Sequence, residues 1–162
     1  MRIRDATRED LPGILAIYNH AIEHTVATFD LEPFSIAARE PWLAQFGAEH
    51  PLLVCERVAG ELLGYAYYLP FRDKAGYAQT KESTVYTHPA ARRQGVASLL
   101  YQVLIKRARA GGVHTLIAVL GGDNPESVGL HEKLGFVASG TLREVGFKHG
   151  GWVDTHYFQK VL

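Results

Sequence analysis

A chain of 162 residues fits one domain and leaves no room for a second of ordinary size. Hydrophobic residues make up 47% and charged residues 21%, which suits a water-soluble protein with a packed core. Lys+Arg and Asp+Glu each total 17, so no bulk charge is available to recruit a nucleic acid. The single cysteine, Cys55, excludes an internal disulfide and a cysteine-based metal site and favours a reducing, cytoplasmic setting. Met1-Arg2-Ile3-Arg4-Asp5 lacks the apolar core of a signal peptide, and no apolar run is long enough to cross a bilayer, so no membrane partner is expected.

No repeat or low-complexity linker interrupts residues 1–162, which read as one continuous domain. Ile3 to Ala6 forms a short strand. Thr7 or Asp10 then caps a helix that carries Leu11, Ile14, Leu15, Ile17 and Tyr18 on one side. A second helix starts near Ser35 and ends around Gly47. Leu52 to Arg57 and Leu62 to Tyr68 read as a hairpin with Ala59-Gly60 at its turn, and Thr80 to Thr87 as a further strand. The period then changes: Val96, Leu99, Leu100, Val103 and Leu104 recur at helical spacing until Gly111-Gly112. Thr115 to Leu120 has the uninterrupted apolar character of a strand buried on both faces. Asp123-Asn124-Pro125-Glu126 opens a helix that ends at Leu134-Gly135, and strands over Phe136–Val145 and Trp152–Val161 close the chain. This order predicts a mixed α/β (α+β) sheet rather than a doubly wound one.

The segment with most information is His88-Pro89-Ala90-Ala91-Arg92-Arg93-Gln94-Gly95-Val96-Ala97, which joins a strand to an amphipathic helix. A glycine-bearing loop at a helix N-terminus aims several backbone N–H groups at one point, where the helix dipole also favours an anion. Neither the Walker A lysine nor the Rossmann glycine pattern is present. The residues alone fit either an anion seat or a surface loop with two solvated arginines. His20-Ala21-Ile22-Glu23-His24 fits the H-x-x-E-H pattern of one metallopeptidase group, but no motif offers a third ligand, and no metal is expected.

Arg92-x-x-Gly95-x-Ala97 resembles the coenzyme signature of the GNAT acyl-CoA-dependent N-acetyltransferases, and Asn124 with Ser127, His131 and Leu134-Gly135-Phe136 is similar to its second half. Tyr77-x-x-Thr80-x-Glu82-Ser83-Thr84-Val85-Tyr86 and Gly146-Phe147-Lys148-His149-Gly150-x-Trp152-x-Asp154 resemble the phosphinothricin N-acetyltransferase branch, as do Ile17-Tyr18-Asn19 and Thr28-Phe29. That resemblance implies a homodimer with acetyl-CoA as co-substrate, and a central sheet splayed open between the strands at 80–87 and 115–120. The pantetheine arm would bond backbone groups of Val85, Tyr86 and Thr87. The loop from Arg92 onward would take the pyrophosphate on the amides of Arg93, Gln94, Gly95, Val96, Ala97 and Ser98. Asn124 would face the coenzyme while capping its own helix.

Acyl transfer to an amine requires a neutral nitrogen, a stabilised oxyanion and a proton for the departing thiolate. Strand alternation puts Thr80, Glu82, Thr84 and Tyr86 on one face, and the resemblance makes Glu82 the base rather than a surface glutamate beside a lysine. His131 stands where many GNAT enzymes carry a tyrosine acid. Its reference pKa of about 6.5 suits donation to a thiolate, against the plainer reading of a helix-surface histidine. Arg72 or Lys74 could clamp an anionic group of the substrate, with Arg72 better suited to bidentate binding. Phe29, Tyr77 and Trp152 are candidate pocket walls. The reading is acetylation of the α-amino group of a small amino acid or analogue, such as phosphinothricin or a methionine sulfone or sulfoximine. Its alternatives are another amine, such as a protein N-terminus or polyamine, or an acyl-CoA sensor without turnover.

Overall fold

A computed structural model describes residues 1–58 and 60–162. Its elements are β1 (Arg2–Asp5), α1 (Leu11–His24), α2 (Ile36–Leu43), β2 (Leu52–Glu56), β3 (Leu62–Pro70), β4 (Thr80–Thr87), α3 (Val96–Ala110), β5 (Thr115–Gly121), α4 (Pro125–Lys133), β6 (Val137–Lys148) and β7 (Gly151–Val161). The order of strands and helices is the one the sequence predicts. The seven strands lie as β1-β2-β3-β4-β5-β7-β6, antiparallel throughout except for the parallel β4–β5 pair.

The sheet divides two cores. On one face α1 packs Ile14, Ile17 and Ile22 against Leu52, Val54 and Tyr65. On the other, Leu100, Leu104 and Ala108 of α3 meet Leu53, Leu63, Ala66 and Leu116. β2 is buried at all five positions because both layers cover it.

Several boundaries differ from the sequence reading for local reasons. A 3₁₀ turn at Arg8–Asp10 precedes α1; Asp10 accepts the Thr7 amide at 2.7 Å, while Arg4 holds both its carboxylate oxygens. α2 stops at Leu43 rather than near Gly47. Ser35 caps it by accepting from Ala38, but Pro41 removes an internal donor and crowds the preceding turn. The Ala59-Gly60 turn falls partly on residue 59, outside the described residues; Gly60 has φ +90°. β6 runs on to Lys148 through a register shift between Leu142 and Gly146, where the Glu144 amide donates to the Asp154 carboxylate at 2.8 Å.

One feature of the sheet positions the site. β4 and β5 pair only from Thr80–Thr115 to Ser83–Ala118. Beyond that point β4 stays bonded to β3 as far as Thr87, and β5 to β7 as far as Gly121. The inner edges of both strands therefore separate. At the far end of β5 the segment after α1 crosses so closely that a Cβ on Gly121 would lie 2.2 Å from the Val26 carbonyl oxygen.

Candidate active site

A cleft of about 900 Å³ fills the opening between β4 and β5. Val85, Tyr86 and Thr87 line one side of it and Ala118 to Gly121 the other. Backbone groups on the inner edge of β4 beyond Ser83 have no partner strand, since the β4–β5 ladder has ended. An extended ligand with amide groups can occupy that place, much as an added strand would.

The cleft continues to the start of α3, along Arg92, Arg93, Gly95, Val96, Ala97 and Ser98. Gly95, at φ +81°, is the N-cap of α3, and no side chain among the described residues caps this helix end. The first helical bond runs from the Leu99 amide to the Gly95 carbonyl at 3.0 Å. The amides of Val96, Ala97 and Ser98 therefore remain free to meet an anion. Arg93 has φ +60°, an uncommon conformation for a side-chain-bearing residue, so the loop combines left-handed residues on both sides of Gln94. Gln94 itself faces outward: its amide donates to the Ala90 carbonyl and accepts from Arg57, each at 2.8 Å. These features fit a diphosphate-bearing coenzyme with a pantetheine arm: an uncapped helix end for the phosphates and a strand edge for the amides. Asn124 also lines the cleft; its Oδ1 accepts from the Ser127 amide at 3.0 Å and so caps α4.

His131 is buried, 3% exposed, and both ring nitrogens are engaged. Nδ1 lies 2.7 Å from the Ser127 carbonyl oxygen, which can only accept, so Nδ1 carries a proton. Nε2 lies 2.9 Å from the Tyr101 hydroxyl, which donates to it when the ring is neutral. Tyr101 also sits 3.3 Å from Ser83 Oγ, which donates to the Ile117 carbonyl at 3.2 Å. Burial lowers the His131 pKa, partly offset by the bond to Ser127. It raises that of Tyr101. All three side chains line the cleft.

Glu82 lies in the paired part of β4, opposite Leu69 of β3 and Ile117 of β5. Ser83 points toward α3, so alternation sends Glu82, Thr84 and Tyr86 to the α1 face. Thr84 and Tyr86 line the cleft and Glu82 is the next pleat below them. Burial raises the Glu82 pKa, opposed by the positive charge of Arg72.

The remaining candidates lie outside the cleft lining. Arg72 is exposed, donates to the Phe71 carbonyl at 3.1 Å and stacks on the Phe71 ring; among these residues its charge is the one that acts on Glu82. Lys74 immediately precedes the 3₁₀ turn Ala75–Tyr77, and Thr80 begins β4. The Tyr77 ring meets Phe71 edge-on. Phe29 covers Gly146, where a Cβ would come within 2.5 Å of its ring. Trp152 is 64% exposed and packs on Phe147.

Two side chains in the cleft have no role assigned from the sequence: Tyr101 is not singled out there, and Ser83 enters only as a member of the branch motif. Tyr101 occurs in the apolar stripe of α3, and Ser83 stands between two charged or polar neighbours, so spacing assigns neither a role. His20 and His24 line the cleft too, although the H-x-x-E-H pattern suggested only a metal. Among the described residues no group of three or more His, Cys, Asp or Glu could hold a metal ion, and no helix is long and apolar enough to cross a membrane.

Comparison with known proteins adds to this geometry. The acetyltransferase (GNAT) family model matches residues 14–136. An L-methionine sulfoximine/L-methionine sulfone acetyltransferase of Pseudomonas paraeruginosa is 44% identical over 97% of this chain and 92% of its own. The fold is similar to a phosphinothricin acetyltransferase from Sinorhizobium meliloti solved with acetyl-CoA, with TM-score 0.94 and 36% identity over 99% of this chain and 88% of that one. It is also similar to a ribosomal-protein-alanine N-acetyltransferase from Brucella melitensis, with TM-score 0.95 and 41% identity over the whole of both chains.

Proposed function

Since the chain belongs to the GNAT acetyltransferase family and is an acetyl-CoA-dependent N-acetyltransferase, we propose that its substrate is the α-amino group of a small amino acid or analogue of the phosphinothricin or methionine sulfone and sulfoximine type. The observation that carries this reading is near-full-length similarity to a methionine sulfoximine and sulfone acetyltransferase, joined to a half-buried carboxylate one pleat below the cleft. The thioester of acetyl-CoA supplies an activated acyl group.

Glu82 binds the arriving ammonium and takes one proton, directly or through one water; the second proton leaves the nitrogen to water as the tetrahedral intermediate collapses to the amide. Its raised pKa brings it closer to neutral pH than an exposed glutamate, where a general base works best. The backbone of Val85 to Thr87 fixes the pantetheine arm, and an N–H of Tyr86 or Thr87 meets the carbonyl oxygen as it gains charge. His131, in its protonated form, passes a proton from Nε2 through the Tyr101 hydroxyl to the departing sulfur. Tyr101 returns to its starting state because it receives one proton as it gives another. Lowered basicity keeps most of His131 neutral but makes the protonated fraction a stronger donor. Arg72 and Lys74 receive the anionic end of the substrate, and Phe29, Tyr77 and Trp152 border it.

The proposal includes one catalytic domain over residues 1–162, a cytoplasmic location suited to the buried free thiol of Cys55, and a homodimer. The dimer is supported by the β6–β7 edge, where Leu142, Val145, Phe147 and Trp152 are all about half exposed or more. A panel of amines tested for acetyl-CoA-dependent thiol release decides the substrate. Methionine sulfone, methionine sulfoximine and phosphinothricin should turn over well, and an alanine-starting peptide and a polyamine poorly. The peptide is included because of the likeness to the Brucella melitensis protein. A preference for the peptide would overturn the assignment.

A further inference from the structure

α1 ends in the motif that acetyl transfer leaves unused, His20-Ala21-Ile22-Glu23-His24. Its i, i+4 spacing brings the two imidazole centroids to 4.4 Å. Both rings belong to residues that line the cleft, on the wall that faces the α3 loop. Arg92 and His88 from that loop are near enough for their charges to act on His20. His149, in the turn between β6 and β7, joins the same wall with Nε2 3.3 Å from the Thr25 carbonyl oxygen.

The opposing charges are few. Glu23 lies 3.9 Å from His24 on the same helix, and Asp123 and Glu126 line the cleft near α4. A metal does not account for the pair, since no third ligand completes a site among the described residues. Two imidazoles gathered with Arg92 at the entrance to free helix amides suit an anion instead. The His24 ring also stands at the C-terminal end of α1, where the helix dipole favours a positive charge.

We propose that His20 and His24 form a titratable second wall of the phosphate seat, holding a phosphate of acetyl-CoA opposite the α3 amides and tightening coenzyme binding as pH falls through the histidine range. The inference rests on the coenzyme assignment, not on the identity of the amine. In the empty protein, burial and the neighbouring His24, Arg92 and His88 lower the His20 pKa, while Glu23 raises it. The neutral form of His20 is therefore favoured in the empty protein. A bound phosphate favours the protonated rings, so binding takes up protons. The intrinsic titration of a phosphate monoester near pH 6 works in the opposite direction, because it loses charge on acidification. Tighter binding at lower pH must therefore come from the protein.

The test is calorimetric titration of the full chain with acetyl-CoA and with its 3′-dephospho form, near pH 8 and near pH 6, without amine. The unsubstituted protein should bind acetyl-CoA roughly three- to tenfold more tightly at the lower pH, with proton uptake measurable from the dependence of heat on buffer ionisation. His20→Gln/His24→Gln should flatten that response. His24→Gln alone should reduce it, and its side chain is 60% exposed, so the fold does not depend on it. If the dephospho ligand responds equally, the wall holds the diphosphate; if it does not respond, the wall holds the 3′-phosphate. An unchanged pH response in both variants would overturn the inference and leave the coenzyme assignment intact. Absence of binding to the unsubstituted protein at either pH would overturn both.

Discussion

Gly95→Val separates the fold from the coenzyme seat. A Cβ at Gly95 would meet nothing within 4 Å, so the added Cβ itself causes no clash. Its cost comes from φ +81°, which a β-branched residue adopts poorly. Left-handed backbone costs an L-residue roughly 1–2 kcal/mol. For a chain of this size, roughly 2–4 °C per kcal/mol, that lowers the thermal midpoint of the unliganded protein by roughly 2–8 °C. Relief of the strain rotates the peptide planes around Gly95 and turns the Val96, Ala97 and Ser98 amides away from their common focus. Acetyl-CoA at about a hundred times its Kd stabilises the unsubstituted protein by about 2.7 kcal/mol, or roughly 5–11 °C in midpoint. Differential scanning calorimetry with and without acetyl-CoA should show that rise in the unsubstituted protein and almost none in Gly95→Val. A full ligand-induced rise in the variant would refute the reasoning, because the loop geometry would then be immaterial to binding.

Three further outcomes follow from the proposed chemistry. Glu82→Gln should lower kcat by roughly a hundredfold or more at neutral pH, the scale of general base catalysis, with little change in acetyl-CoA affinity; steady-state thiol release measures both. Arg72→Ala should raise the KM for the amino acid by roughly tenfold, a modest loss because the side chain is exposed. It should also move the acid limb of kcat/KM to higher pH, since Arg72 holds the Glu82 pKa down and its removal lets that pKa rise. His131→Ala and Tyr101→Phe should both slow transfer from acetyl-CoA far more than from an acyl donor whose thiol is strongly acidic. Equal losses with both donors would leave the pair a positioning role only.

Much of this architecture is local and therefore legible in the chain. α3 follows from the spacing of Val96, Leu100 and Leu104, and α4 from Asn124-Pro125, whose cap bond to Ser127 is present. The shape of the α3 loop is legible for the same reason, from a glycine, small neighbours and a helix start, while the choice between an anion seat and a surface loop came from family resemblance. The cleft also depends on distant parts of the chain. The early end of the β4–β5 ladder joins residues 35 apart, and the Val26 carbonyl pressed against Gly121 joins residues 95 apart. No periodicity within either strand reports that opening; it entered the sequence reading through family resemblance alone. Tyr101 was hidden for a different reason. At a buried helix position its ring satisfies the hydrophobic pattern, so the hydroxyl between Ser83 and His131 leaves no trace in sequence spacing.

Burial acts on Glu82 and His131 in opposite senses along the pH scale but with one electrostatic result. It raises the pKa of the Glu82 carboxyl and lowers that of the His131 imidazole, so each favours its uncharged form in the empty cleft. The substrate changes that balance because it arrives as an ammonium. A positive charge beside Glu82 favours the carboxylate, so recognition of the amine and activation of its base become one event. Ser127 holds the His131 ring on the other face of the sheet, where the thiolate must be discharged. The separation matters: a carboxylate beside the imidazole would raise its pKa and make it a weaker proton donor. In the proposed mechanism, placing the base in paired β4 and the acid on α4, with the cleft between them, lets one protein environment favour both proton transfers.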